Sequence, residues 1–155
     1  MKPSIFLVLD NLRSLYNIGS LFRSADAFGV EKIFICGISG YPAHRQMEKI
    51  AKTALGAEQS VPWEYHARTA TVITRLKKSG VSIVALETGK KSKPLNLLQP
   101  KFPLALVLGN EVTGIAPRLL KRCDQVAAIP QQGVKESLNV SVAGAIALYE
   151  LSPKK

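Results

Sequence analysis

Apolar positions along this chain follow two alternating rhythms. Runs such as IFLVL (5–9), KIFIC (32–36), SIVAL (82–86) and LALVL (104–108) are almost unbroken by polar residues. Such runs predict strands covered on both faces, as in a parallel sheet. Two further strands are predicted over 61–65 and 126–129. Between the runs, apolar residues recur every three or four positions and predict helices over 18–28, 45–55, 67–79, 116–122 and 140–151. The alternation implies an α/β fold, a mostly parallel sheet with helices on both faces, in one domain over 1–155. Ligands of such sheets sit beyond the carboxyl ends of the strands. The segment TGKKSKPLNLLQPKFP (88–103) reads as a basic, proline-containing loop too short to separate two domains.

Two of the predicted helices are unusual. In the first, Ile18, Leu21, Phe22, Ala25 and Phe28 form one apolar stripe, and Arg23 lies off it, on the face of Gly19. Arg23 is therefore either a solvated helix charge or a working group. The last helix is apolar on nearly every side: Val140, Val142, Ala143, Ala145, Ile146, Ala147, Leu148 and Leu151. Such a helix is expected to be buried all round, in a large core or against a second subunit. In a chain of 155 residues the second subunit is the more attractive partner.

Composition narrows the function. Twenty-one Lys and Arg against eleven Asp and Glu give a formal charge of +10, which favours a polyanion such as nucleic acid. No lysine-rich amphipathic anchor stands out, and no apolar run reaches membrane-spanning length. IFLVL is too short for a signal peptide, and Cys36 and Cys123 are far apart, so a reducing cytoplasm is the expected location. Two histidines, His44 and His66, and no Cys-x-x-Cys give no basis for a metal. There is no Gly-x-Gly-x-x-Gly after the first strand, no phosphate-binding Gly-Lys-Ser/Thr loop and no Gly-x-Ser-x-Gly elbow. These absences count against nicotinamide or flavin sites, nucleotide hydrolysis and serine hydrolysis.

Three polar clusters remain, each just past a predicted strand: Asn17, Gly19 and Arg23; GNEVTG (109–114); and PQQGVKESLN (130–139). Ser137 and Asn139 are good N-caps for the last helix, and the same helix N-terminus would present amide donors to an anionic ligand. Gly109 permits close approach by a ligand, or simply a tight turn. Glu111 is either a first-turn acid of the helix near Pro117 or part of a site.

Taken together, NLRSLYNIGSLFRSADAFGV, LVLGNEVTGI and IPQQGVKESLNVSVAGAIALYE resemble the three ordered motifs of the SpoU (TrmH-like) RNA methyltransferases of the SPOUT superfamily. They cover about a third of the chain. The resemblance implies a C-terminal trefoil knot, a homodimer through the C-terminal helix, S-adenosylmethionine as cofactor, and methyl transfer to a ribose 2′-hydroxyl of RNA. It further implies cofactor contacts at Leu86, Gly109, Ile129, Ser137 and Leu138, and an active-site set of Asn17, Arg23, Glu111, Ser137 and Asn139. Val112 departs from the family's frequent glycine, and would be strained if that position needed a positive φ.

On this reading Gly19 leaves room for RNA, and Arg23 activates the 2′-hydroxyl or holds a phosphate and the developing alkoxide. A guanidinium, with a pKa of about 12.5–13.8, seldom gives up its proton, so the proton would pass to water or Glu111. Arg13, Arg45, Lys90, Lys91 and Lys93 are the expected RNA contacts, with His44, Lys49 and Lys52 nearby candidates. tRNA is preferred to rRNA as substrate. The competing readings are a catalytically silent RNA-binding protein on the same scaffold and, more distantly, a nucleotide-dependent oxidoreductase.

Overall fold

A computed structural model describes residues 3–135 and 137–154. Seven strands form one all-parallel sheet: β1 (Ile5–Asp10), β2 (Lys32–Cys36), β3 (Trp63–His66), β4 (Ser82–Leu86), β5 (Lys93–Pro94), β6 (Leu104–Leu108) and β7 (Gln125–Ala128). Their order across the sheet is β3-β2-β1-β6-β4-β7-β5. Central strand β6 is buried at all five positions, as its unbroken LALVL requires. One pleat of β1 (Ile5, Leu7, Leu9) packs under α1 (Leu15–Ala27), α2 (Gln46–Ala54), α3 (Ala57–Ser60) and α6 (Val140–Leu151). The other pleat, with Val8, packs under α4 (Thr69–Lys78) and α5 (Pro117–Leu120). Each fully buried Leu or Ile of these cores contributes roughly 1.5–3 kcal/mol.

The predicted strands and helices all form, with shifted ends. Helix α1 begins at Leu15, three residues before the apolar stripe, because the Ser14 hydroxyl accepts the Asn17 amide and caps it. The helix predicted over 45–55 stops where Leu55 and Gly56 turn left-handed (φ 52° and 97°), and the separate α3 follows. The segment 88–103 is not wholly loop: Lys93–Pro94 pair with β7 as the sheet's last strand, and a 3-10 turn follows over Leu95–Leu97.

Two glycines set how closely the helices approach. A Cβ on Gly19 would lie 2.0 Å from Thr53 Oγ1 and 2.3 Å from the Ile50 carbonyl oxygen. Gly19 therefore leaves no room for RNA; it is the contact point of α1 and α2, and the sequence expectation is corrected. A Cβ on Gly144 would meet Leu21 Cδ2 at 2.6 Å and Leu108 Cδ1 at 2.8 Å, so α6 seats against both α1 and β6.

Helix α6 is not buried all round within the chain. Gly144, Ala147, Leu148 and Leu151 face the core, while Val142, Ile146 and Tyr149 are 48%, 41% and 60% exposed. Those three residues are four and three positions apart and form a second apolar stripe facing outward.

Gly19→Ala forces α1 and α2 apart. It should lower stability by roughly 1–3 kcal/mol, a typical overpacking cost, measured as a reduced midpoint of urea unfolding at unchanged slope.

Candidate functional site

All strands run the same way, so the loops that leave their carboxyl ends gather on one edge of the sheet. There Asn11, φ 57°, turns the chain out of β1; its Oδ1 accepts the Ile38 amide and its carbonyl accepts Asn110 Nδ2 at 2.7 Å. Asn110, just past β6, in turn accepts the Val112 and Thr113 amides on Oδ1. This side-chain turn shapes the loop without strain at Val112, whose φ is not positive. Glu87, after β4, closes the loop from the other side by accepting the Ile115 amide at 2.7 Å.

Gly109 is buried within this loop. A Cβ there would lie 2.5 Å from Ile115 Cγ1 and 2.8 Å from the Gly114 carbonyl carbon. Its bareness thus serves the loop's own return, the second of the two readings left open by the sequence. Gly114 needs its bareness twice over: φ is 68°, and a Cβ would lie 2.2 Å from Glu87 Oε2.

Glu111 is not a first-turn acid of α5. Its carboxylate crosses to the start of α1, where Oε1 accepts the Arg13 amide and Oε2 accepts the Ser14 amide, both at 2.9 Å. Asn17 Nδ2 donates to Oε2 at 3.2 Å. Asn17 Oδ1 then accepts Asn139 Nδ2 at 3.2 Å, and Asn139 Oδ1 accepts the Ser141 amide at 2.8 Å and the Val142 amide at 3.3 Å. Three of the five expected active-site residues, one from each motif, are joined in one hydrogen-bonded chain. Asn139, rather than Ser137, is the cap of α6. Ser137 and Leu138 lie exposed on the approach to it.

Arg23 stands apart from this chain. It lies six positions after Asn17, which places the two side chains roughly 120° apart around α1. Arg23 is exposed, and among the described residues no carboxylate pairs with it.

Leu86, Gly109 and Ile129 end or follow the neighbouring strands β4, β6 and β7. Leu86 and Ile129 are half-buried and Leu138 is 39% exposed. Backbone groups at three strand ends beside open apolar side chains make a donor set suited to a nucleoside: apolar surface for a base, amides and carbonyls for its edge. The expected RNA contacts Arg13, Arg45, Lys90, Lys91 and Lys93, and the candidate His44, are all exposed and leave the same edge, after β1, β2 and β4. Lys49 and Lys52 are exposed on α2. Among the described residues no cluster of His, Cys, Asp and Glu is arranged to hold a metal ion, and no helix is long and apolar enough to cross a membrane.

Electrostatics define what these groups can do. Desolvation raises the Glu111 pKa, but the amides of Arg13 and Ser14 and the Asn17 side chain outweigh it and hold the carboxyl below its ordinary 4.5. Glu111 is consequently a weak base with both oxygens occupied. Burial pushes the thiols of Cys36 and Cys123 up to about 12 and about 11, so neither is a ready nucleophile. Sequence reasoning missed Asn11, Glu87 and Asn110. The one available signal was an asparagine or acid within two residues of the ends of β1, β4 and β6.

Glu111→Gln should destabilise the protein by about 1 kcal/mol at neutral pH, allowing for partial exposure. The wild-type contribution is complete above 4.5 and disappears as pH falls through the depressed folded value. Urea midpoints of the two proteins should therefore converge below that pH.

The comparisons with known proteins agree with this geometry. The model of the SpoU rRNA Methylase family matches residues 4–149. The 23S rRNA (guanosine-2′-O-)-methyltransferase RlmB of Coxiella burnetii is 35% identical over 158 residues, covering 99% of this chain and 60% of that protein. The chain thus spans about three fifths of the curated relatives it matches. An AdoMet-bound rRNA methyltransferase from Sinorhizobium meliloti superposes with a TM-score of 0.87 and 28% identity over 96% of this chain and 55% of that one. A TrmH/SpoU tRNA modifying enzyme from A. aeolicus gives 0.85 and 29% over 97% and 74%. With one family model spanning nearly the whole chain and the three motifs meeting at one sheet edge, this protein belongs to the SpoU methylase family.

Proposed function

We propose that this protein transfers a methyl group from S-adenosylmethionine to a ribose 2′-hydroxyl of RNA, with tRNA preferred to rRNA, in the cytoplasm. The observation that carries the reading is the Glu111–Asn17–Asn139 chain, which binds the three motif loops into one site. S-adenosylmethionine would supply an electrophilic methyl on a sulfonium. Leu86, Ile129 and Leu138 would flank its adenosyl part, with the backbone at Gly109 and Ser137 completing the contacts. The tRNA preference draws support from the A. aeolicus neighbour, a tRNA modifying enzyme.

The chain's residues then divide the work. Asn17 and Asn139, fixed by the carboxylate at one end and the α6 amides at the other, hold the ribose in line with the methyl. Arg23 grips the flanking phosphate and steadies the alkoxide as it forms. The hydroxyl proton leaves to water, since Glu111 is held deprotonated and engaged.

Because Arg23 is turned away from the Asn17 cluster of its own chain, its role calls for a second subunit. We infer a homodimer through the outward stripe of α6, Val142, Ile146 and Tyr149, which continues onto the C-terminal cap of α1, where the Phe28 and Tyr149 ring centroids lie 6.0 Å apart. In it, the Arg23 of one chain serves the site of its partner. The threaded, knotted backbone of the family is part of the same proposal. It is supported by the sheet order, in which β6 lies inside β4 and β7 outside it.

Two measurements test this. Arg23→Ala should lower turnover on tRNA by roughly 10²–10³-fold while calorimetry shows unchanged cofactor affinity. Mixing it with Asn139→Ala should restore part of the activity, and near-normal activity of Arg23→Ala alone would exclude the role. Ile146→Asp should convert a dimer to a monomer in sedimentation and abolish transfer. A wild-type chain that binds no S-adenosylmethionine would leave the silent RNA-binding scaffold as the better reading.

A further inference from the structure

A second basic feature lies away from the carboxyl-edge loops, on the α4 face of the sheet. Arg68, Thr71, Arg75 and Lys78 follow one another at spacings of three, four and three, along a single face of α4 and the residue before it. Arg122, from the turn between α5 and β7, forms the opposite wall, and Ala70 and Thr74 complete the lining of a cleft of about 440 Å³. Lys77 fixes that wall by donating to the Arg122 carbonyl at 3.0 Å.

The lining holds four cations, two threonines and Ala70; no carboxylate belongs to it. Nearby acids are already engaged. Glu64 binds Lys32 at 2.8 Å, His66 at 2.8 Å and Arg75 at 3.0 Å, and Asp124 accepts the Ile83 amide and pairs with Lys77. Among the described residues, Arg68, Lys78 and Arg122 have no carboxylate within ion-pair distance. Clustered, exposed and uncompensated cations repel one another, and a polyanion relieves that repulsion.

Length and direction identify the polyanion. Ten residues from Arg68 to Lys78 span about 15 Å of helix, and a nucleic-acid strand carries one charge per roughly 3.4 Å of axis. The stripe therefore matches several successive phosphates rather than one small anion. Arg68 also lies at the catalytic edge: its neighbour Thr69 donates to Asp10, the residue before Asn11. Lys78 lies at the far end, where α4 turns back toward the start of β4.

We propose that this cleft is a phosphate-tracking groove for the RNA substrate, carrying the strand from the modified ribose down the α4 face. It rests on the RNA-methyltransferase reading and adds a docking surface on the side of the sheet opposite α6. The threonine hydroxyls of Thr71 and Thr74 donate to phosphate oxygens between the cations.

The test compares the full-length wild type with Arg68→Gln/Lys78→Gln and with Lys101→Glu, two variants carrying the same charge loss. Binding of purified bulk tRNA and rRNA is measured across a salt series, with calorimetric S-adenosylmethionine affinity and methyl-transfer kinetics alongside. The cleft variant should bind RNA about tenfold more weakly at physiological salt, with a salt slope shallower by about 1.4–1.8. Its KM for RNA should rise at unchanged kcat and cofactor affinity, and Lys101→Glu should stay near wild type. Equal losses in both variants would reduce the effect to net charge and overturn the groove, as would wild-type binding by the cleft variant. Either result leaves the methyltransferase reading intact, whereas a wild type that binds neither RNA nor cofactor removes both.

Discussion

The site depends on a hydrogen-bonded chain whose polarity is fixed from both ends. A carboxylate only accepts, so Glu111 obliges Asn17 to present its amide nitrogen. The Asn17 oxygen is then left to accept from Asn139, whose own oxygen faces the first amides of α6. Helix amides only donate, so the far end is equally determined. No amide in the series can flip without setting donor against donor or acceptor against acceptor. Two asparagines are thereby held in one orientation on a surface that is otherwise open, which is what positioning a sugar hydroxyl requires.

That constraint explains features that look unrelated. Ser14 and the Glu111 carboxylate satisfy amides at the entrance of α1, so the helix starts early enough to carry Asn17. Gly109 and Gly114 let the loop after β6 fold back tightly enough for Glu111 to reach across. Gly144 lets α6 lie directly on α1, bringing its cap, Asn139, to Asn17. Each glycine trades local backbone entropy for an approach that a methyl group would block.

The architecture was legible in the sequence because burial on both faces writes itself into runs such as LALVL. The end positions were less so: apolar periodicity marks where α1 touches the core, whereas its start is set by caps that carry no periodicity. Glu111 could be suspected of a role but not given one, since its partners lie 94 to 98 positions away. Gly19 was misread for a related reason; a small residue beside an arginine looks like open space until the neighbouring helix is known to fill it. The α4 cations drew no reading from the sequence, because their convergence with Arg122 exists only in three dimensions. Leu86, Ile129 and Leu138 came from family likeness, and periodicity alone would have left the first two as strand ends and the third as loop.

A buried contact ties the α4 face to the carboxyl edge of the sheet. Asp10 ends β1 with its carboxyl turned to the α4 side, where it is 6% exposed. Burial raises its pKa against the lowering effect of the Thr69 hydroxyl, which donates to it at 2.5 Å. A buried acid whose hydrogen-bond partner is removed is left unsatisfied, which is costly. It pins the first residue of α4 to the strand end from which Asn11 and the motif loop depart. The basic stripe on α4 is thus held at a fixed offset from the Asn17–Asn139 pair. On the proposed reading, a groove that tracks phosphates would select a ribose only at a constant distance from the reacting position, and the Asp10–Thr69 contact is the bond that would hold that distance.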